Sequence, residues 1–421
     1  MFLIAATHRC TEPRGSLERA RITATQLSKP TVRHGVSVRL LFLALDTKPE
    51  EDEAEGIHVR ELAENLASLG HEVDLCVSRE SSWTDGRGIK RLCVHPIGGG
   101  PPLRELLRVL SEARAFDPQG VYERRFLPRV SACVSLLRNV PSFVEINGLV
   151  DEEILLQGRS EQNLMPEALR NRVYSAAFRR MAKVVTVTRN LGQQMRARYR
   201  IPESQVAVIE NAANNELFRP LEKGECRRLV GIDTDCYWIC FEGGLYQWHG
   251  VETLVRALPL VRSQNVDAKL LIVGDGPCRN DLEALVHRLG MTDFVVFTGR
   301  QPYGRVPIYI GASDLGVGPF TRTRNAKNGS SAMKVYEYVS CGRPVVVSRL
   351  PGIEDWVESE ALGRLVEPDD AHDLAAKICE VLQDAEFLRD IAIKGPAAVA
   401  RTHSWSGVSA QLIQLFQGLA G

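Results

Sequence analysis

Apolar positions along this chain alternate between short unbroken runs and stretches spaced three and four residues apart. The first run, VRLLFLAL at 38–45, predicts a strand covered on both faces. An acidic segment, EEDEAEG, reads as the loop after it. Val59, Leu62, Ala63, Leu66 and Leu69 then recur at helical spacing up to Gly70, a residue suited to a left-handed helix cap. VDLCV at 73–77 is the next apolar run, so the unit is strand, helix, parallel strand.

The same alternation returns after Phe241. Val251, Leu254, Val255, Leu258 and Val261 predict a helix, AKLLIVG at 268–274 a strand, and Leu282, Leu285, Val286 and Leu289 a second helix ending at Gly290. FVVFTG, DLGVGPF and PVVVS predict further strands, with the helix MKVYEYVSCG before the last. The fold class is therefore α/β: two facing, doubly wound Rossmann-like domains with a cleft between them. Residues 1–36 show neither periodicity and are expected to be a disordered tail or a misassigned start. The N-terminal domain is expected over 37–217 and the C-terminal domain over 218–400. NNELFRP, ending at Pro220, reads as the hinge, and 401–421 as a C-terminal helix packing back toward the first domain.

Composition narrows the function classes. Formal charge over the 421 residues is zero, so no global field favours nucleic acid. No apolar run reaches membrane-span length, and the opening FLIAA is too short for a signal-peptide core. The ten cysteines are scattered without a C-x-x-C pair and suit a reduced, cytoplasmic enzyme. One local excess stands out: residues 168–200 hold nine cations and no acid, a stretch that could touch a membrane at its periphery or a phosphorylated acceptor.

The richest chemistry lies in GSSAMKVYEYVSCGRPVVVS at 329–348. Gly329, Ser330 and Ser331 lead through Met333 into a helix whose first N–H groups and positive dipole end suit a diphosphate. Lys334 adds a full charge, and Glu337, further along the helix, suits adjacent ribose hydroxyls. The loop FEGGLYQWHG offers Gly243 and Gly244 for close approach and His249 as a donor to phosphate. Gly274, Asp275 and Gly276 form a strand-to-helix turn. Asp233-Thr234-Asp235 has the D-x-D pattern of a metal pair but precedes a strand, where a solvated turn is expected, and the histidines never pair at metal spacing.

These segments resemble glycosyltransferase family four, retaining enzymes of the GT-B fold. The resemblance runs from residue 38 onward through GIHVRELAENLASLGHEVDL, VVTVTRNL, VAVIENAANNELFRP, FEGGLYQWHG, LLIVGDGP, FTGR and ASDLGVGPF, in that order. It implies a nucleoside-diphosphate sugar as co-substrate, no cofactor and no metal. It also implies attack on the face from which the nucleotide departs, with a donor phosphate oxygen taking the acceptor proton. It makes the first domain the acceptor side and the second the donor side, and it places Gly274, Asp275 and Gly276 beside the donor and the Arg300 backbone against the base. Departures are specific. Gly329 stands where the family has the first of two glutamates, and Gly244 and His249 where it has a basic pair. The N-terminal glycine loop shrinks to Glu55-Gly56, and Asn147 replaces an acceptor-side histidine. Lys334, Glu337 and His249 are the expected catalytic residues, and Gly56, Arg124, Glu145 and Asn147 the acceptor-side candidates. A nucleotide-sugar epimerase and a degenerate donor-binding subunit are the rival readings on the same architecture.

Overall fold

The computed structural model describes residues 37–83, 89–99, 101–125, 128–149 and 167–419; the expected tail at 1–36 lies outside the described residues. The first sheet is seven-stranded and parallel: β1 (Arg39–Ala44), β2 (Glu72–Ser78), β3 (Leu92–Gly98), β4 (Gly120–Arg124), β5 (Ser142–Ile146), β6 (Lys183–Thr186) and β7 (Val206–Val208), in the order β3-β2-β1-β4-β5-β6-β7. β1 is central, and its unbroken apolar run serves both faces. Leu40, Phe42 and Ala44 join one core cluster, and Leu41 and Leu43 another.

Right-handed crossovers decide which helices cover which face. The step from β1 to β2 runs one way and puts the helix Ala54–Ser68 on one side. The steps from β3 through β7 run the other way, so Pro102–Phe116, Arg129–Arg138, Glu167–Phe178 and Arg189–Tyr199 share the opposite side. The first helix begins at Ala54, so the expected acidic loop is shorter than its sequence suggests. Glu55 lies in the first helical turn, where the dipole favours an acid.

The second sheet has six parallel strands: β8 (Tyr237–Glu242), β9 (Ala268–Val273), β10 (Val295–Gly299), β11 (Leu315–Gly318), β12 (Val345–Ser348) and β13 (Gly363–Val366), in the order β10-β9-β8-β11-β12-β13. The helix Met333–Ser340 connects β11 to β12. The chain crosses between the sheets twice, and the crossings are bonded to each other: Ala213 N–H donates to His403 O at 3.0 Å. Beyond the second crossing, the helix Trp405–Gln417 lies on the first sheet, with Phe416 stacked on Phe143 at 3.8 Å.

Candidate active site

In parallel α/β sheets, ligand loops gather at the carboxyl ends of the strands. At the end of β8, Gly243 takes φ +113°, and at the end of β9 Gly274 takes φ +146°. The two loops touch: a Cβ on Gly274 would lie 2.0 Å from Gly243 O, and one on Gly276 would lie 2.6 Å from Leu245 N. The Asp275 side chain is spent locally, accepting from Gly276 N–H at 2.8 Å and pairing with Arg279 at 3.0 Å.

Lys334 reaches this glycine corner from the helix Met333–Ser340. Its Nζ is buried and has no hydrogen-bond partner among the described residues. It lies 4.3 Å from the centre of the Phe241 ring, and a Cβ on Gly243 would stand 2.7 Å from it. Burial pulls its pKa down, and the nearby Glu242 and Glu337 oppose that shift. A buried cation facing bare backbone is costly unless an anion joins it. The helix start carries no side-chain cap, because Ala332 occupies that position.

One turn further, Glu337 is buried and accepts from the Tyr303 hydroxyl at 3.1 Å. Its carboxyl also bonds that of Glu242, the last residue of β8. Burial, then repulsion from Glu242, pushes Glu337 well above the usual carboxylate range. Burial raises Glu242 as well, and the Lys334 charge opposes that shift. The Glu242 N–H donates to the Tyr338 hydroxyl oxygen at 2.7 Å, which ties β8 to the same helix.

The segment before the helix is fastened to the N-terminal domain. Gly329 has φ +75° and faces Thr188, whose hydroxyl donates to Asn328 O. Ser330 N–H donates to Pro351 O at 2.9 Å. Ser331 Oγ accepts from Asn211 N–H at 2.8 Å, and Asn211 Nδ2 donates to Ser331 O at 2.6 Å. Met333 packs against the core cluster of the first domain. The Asn211 side chain continues to His58 Nδ1 at 3.1 Å, and His58 Nε2 meets Glu145 Oε2 at 3.1 Å. Glu145 also accepts from Tyr122 and from Asn147 Nδ2 at 2.6 Å, and Arg124 Nε stands 3.4 Å away. Burial alone would raise its pKa, but the His58 and Arg124 charges, with the Tyr122 hydrogen bond, hold the Glu145 carboxyl well below the usual range. The acceptor-side candidates Arg124, Glu145 and Asn147 therefore form one cluster, linked through His58 and Asn211 to Ser331.

Two expected roles, those of His249 and Gly56, need correction. His249 is no phosphate-facing cation: Phe241, Tyr246, Trp248 and Phe320 surround its ring, and its Nδ1 bonds Gly244 O. Burial, then the Lys334 charge, drives its pKa well below the ordinary imidazole value. Gly56 is a packing residue inside the first helix, since a Cβ there would lie 2.4 Å from Glu51 O. The Arg300 side chain points across the domains to Glu53, at 2.8 Å. Beside it, Tyr303 N–H donates to Asp52 Oδ2 at 3.0 Å, forming a second cross-domain contact. Asp233 of the D-x-D segment is paired with Lys269. A cavity of about 480 Å³ near the hinge shares Tyr303 with the acid pair but none of the glycine loops.

Sequence reasoning missed Glu242, Tyr303, His58 and Asn211. Glu242 had one signal, an acid closing the apolar run YWICF directly before a glycine pair. His58 lies on the buried face of the first helix, where it reads as core.

Comparison with known proteins divides the chain into two matched parts. The family described as Glycosyltransferase Family 4 matches residues 56–217, and that described as Glycosyl transferases group 1 matches residues 237–384. An uncharacterized glycosyltransferase of Methanocaldococcus jannaschii is 28% identical over 239 residues, spanning 56% of this chain and 60% of that protein. A D-inositol 3-phosphate glycosyltransferase of Arthrobacter sp. is 24% identical over 414 residues, spanning 90% of this chain and 94% of its own length. Among solved structures, Anabaena HepE in complex with UDP-glucose superposes with a TM-score of 0.70 at 17% identity, covering 90% of this chain and 100% of HepE.

Proposed function

From a chain that belongs to the group 1 glycosyltransferases, family four, we propose transfer of a glycosyl group from a nucleoside-diphosphate sugar to an acceptor hydroxyl, with retention and without a metal ion. The carrying observation is that the buried Lys334 ammonium beside Gly243 has no hydrogen-bond partner among the described residues. Gly244 and the neutral His249 leave the glycine corner without a cation of its own, so Lys334 supplies the charge from the facing helix. A donor diphosphate seated there meets that ammonium and the uncapped start of Met333–Ser340.

Glu337 takes the ribose hydroxyls, with Glu242 and Tyr303 holding its carboxyl in place. The acceptor hydroxyl enters from the Glu145, Asn147 and Arg124 side. Its oxygen bonds the anomeric carbon on the face that the diphosphate leaves. The bond from that carbon to the phosphate oxygen breaks, and the acceptor proton passes to the departing phosphate oxygen. HepE was solved with UDP-glucose, which supports a nucleotide-sugar donor here. Unpaired cysteines, such as the buried Cys76 and Cys240, suit a cytoplasmic setting.

Calorimetric titration with UDP, GDP, ADP, dTDP and their nucleosides tests this reading. One diphosphate should bind well above its nucleoside. Lys334→Met should weaken that diphosphate at least about tenfold and leave the nucleoside unchanged, in keeping with the loss of a charge-assisted contact. Diphosphate binding by Lys334→Met equal to that of the parent would overturn the assignment.

A further inference from the structure

We propose that His403 is a positioning residue that sets the helix Met333–Ser340 against the hinge, and does so in its doubly protonated form. The proposal rests on the donor-site reading, because this helix carries Lys334 and Glu337.

His403 lies at the second crossing, directly after the helix Ala385–Thr402. Its backbone is held on both sides: the N–H donates to Val399 O at 2.7 Å, and the carbonyl accepts from Ala213 N–H at 3.0 Å. Its buried ring stacks on Tyr336 at 4.1 Å with an interplanar angle of 17°, and Trp356 meets both rings at their edges. Tyr336 stands between Lys334 and Glu337 on the donor helix, and its hydroxyl lies 3.3 Å from Ser331 Oγ.

These contacts close into a circuit. His403 Nε2 meets Glu210 Oε2 at 2.8 Å, and the residue after Glu210 is Asn211, which holds Ser331. The first crossing therefore grips Tyr336 at both ends, its ring through His403 and its hydroxyl through Ser331.

The two ring protons follow from the partners. The Thr402 hydroxyl donates its one hydrogen to Ala398 O at 2.8 Å and accepts from Trp356 Nε1 at 3.1 Å. Toward His403 Nδ1, 2.8 Å away, it can only accept again, so Nδ1 carries a proton. Nε2 faces a carboxylate oxygen and carries the other. The resulting imidazolium pairs with Glu210 and lies over the electron-rich face of Tyr336. Loss of the Nδ1 proton turns the Thr402 hydroxyl away from Ala398 O and ends the ion pair. Other groups around the ring are engaged elsewhere. Burial, then the Glu210 charge, pushes the Tyr336 phenol above its usual range, so it stays neutral. Arg401 pairs with Glu360 at 2.7 Å and Glu358 with Arg349 at 2.8 Å, Asp355 is exposed, and the Glu354 carboxyl is set by its own burial and by Asp355.

Hydrogen exchange of the nucleotide-free protein reads the seating of this helix without a ligand. At matched low pH, residues 331–340 should exchange at least about fivefold faster in His403→Phe, which keeps a stacking ring but cannot bond Glu210. In the parent, exchange there should quicken beyond the intrinsic effect of pH between about pH 5.5 and pH 8.5, and in His403→Phe it should not. Glu210→Gln keeps an acceptor for Nε2 without the charge, so the same change should come at lower pH. Affinity for UDP, GDP, ADP or dTDP, whichever the parent binds, should fall over that range in the parent and stay level in His403→Phe. Exchange over 331–340 that is alike in all three proteins, or a pH profile of nucleotide affinity that His403→Phe leaves unchanged, would overturn the proposal. A parent that binds none of the four nucleotides yet shows the exchange response would sink the donor-site reading and leave His403 as the residue that seats this helix.

Discussion

Asn211 grips Ser331 with two hydrogen bonds, from its backbone N–H to Oγ at 2.8 Å and from its amide to the carbonyl at 2.6 Å. The loop that leads into Met333–Ser340 is therefore held by the first domain, and through His58 the same asparagine reaches Glu145. A donor-side loop and an acceptor-side carboxylate share one hydrogen-bond chain. Asn211→Ala should lose about 1–2 kcal/mol of stability, because its partners become unpaired in a partly buried site. kcat/KM should fall by more than that loss predicts, since the loop is released as well. Melting curves and steady-state kinetics on the same preparation would check both, and an unchanged kcat/KM would separate the chain from catalysis.

Lys334 makes stability and activity move in opposite directions. Its ammonium is buried against Phe241 and Phe320 without a hydrogen-bond partner among the described residues. Lys334→Met keeps the stem and removes the buried charge, so the nucleotide-free protein should melt at the same or a higher temperature. The rise in melting temperature on adding nucleoside diphosphate should shrink in the variant. A large fall in intrinsic stability would make Lys334 a structural residue.

Glu123 supplies a pH dependence away from the site. It is fully buried on β4 and accepts from Ser131 N–H at 3.0 Å, and burial pushes its carboxyl up to about 7. Between an unfolded value near 4.5 and that folded value, the native protein keeps a proton that the unfolded chain has lost. Stability should therefore fall as pH rises through that window, by up to about 3 kcal/mol. Glu123→Gln should flatten this part of the profile and melt higher than the parent at alkaline pH. Parallel melting profiles for the two proteins would place the carboxyl in the ordinary range.

Much of this architecture is legible in local patterns, because each strand and helix shows its burial in its own spacing. VRLLFLAL reads as two-sided because it is two-sided, and the glycine corners read as close approaches because backbone and Lys334 do approach them. What escaped depends on the meeting of distant segments. Glu242 and Glu337 act on each other only because β8 ends beside Met333–Ser340, which brings the two carboxyls together. The acids before Ala54 looked like a loop, yet they lead directly into a helix start and reach Arg300 and Tyr303 of the other domain. Arg170 counted as one of nine surface cations until the fold buried it.

His249 shows the same dependence on surroundings most sharply, and it carries the last prediction. By sequence it is an exposed loop imidazole beside a dianion, which would raise its pKa and make donor binding fade as pH rises. In the fold, four aromatic rings flank the half-buried imidazole, its Nδ1 bonds Gly244 O, and Lys334 repels a second positive charge. Its pKa is lowered, so the ring is neutral throughout the neutral range, and its contribution is structural. The donor dissociation constant should show no titration attributable to this residue between about pH 6 and pH 8. His249→Ala should lower the melting temperature, because it empties an aromatic site and frees the Gly244 carbonyl. Its affinity curve against pH should keep the parent's shape and be displaced weaker by loss of the loop's form. His249→Lys should fare worse, since it forces a second cation into the enclosure beside Lys334. Should His249→Lys instead bind donor more tightly than the parent above neutral pH, the imidazole would have to face the diphosphate after all.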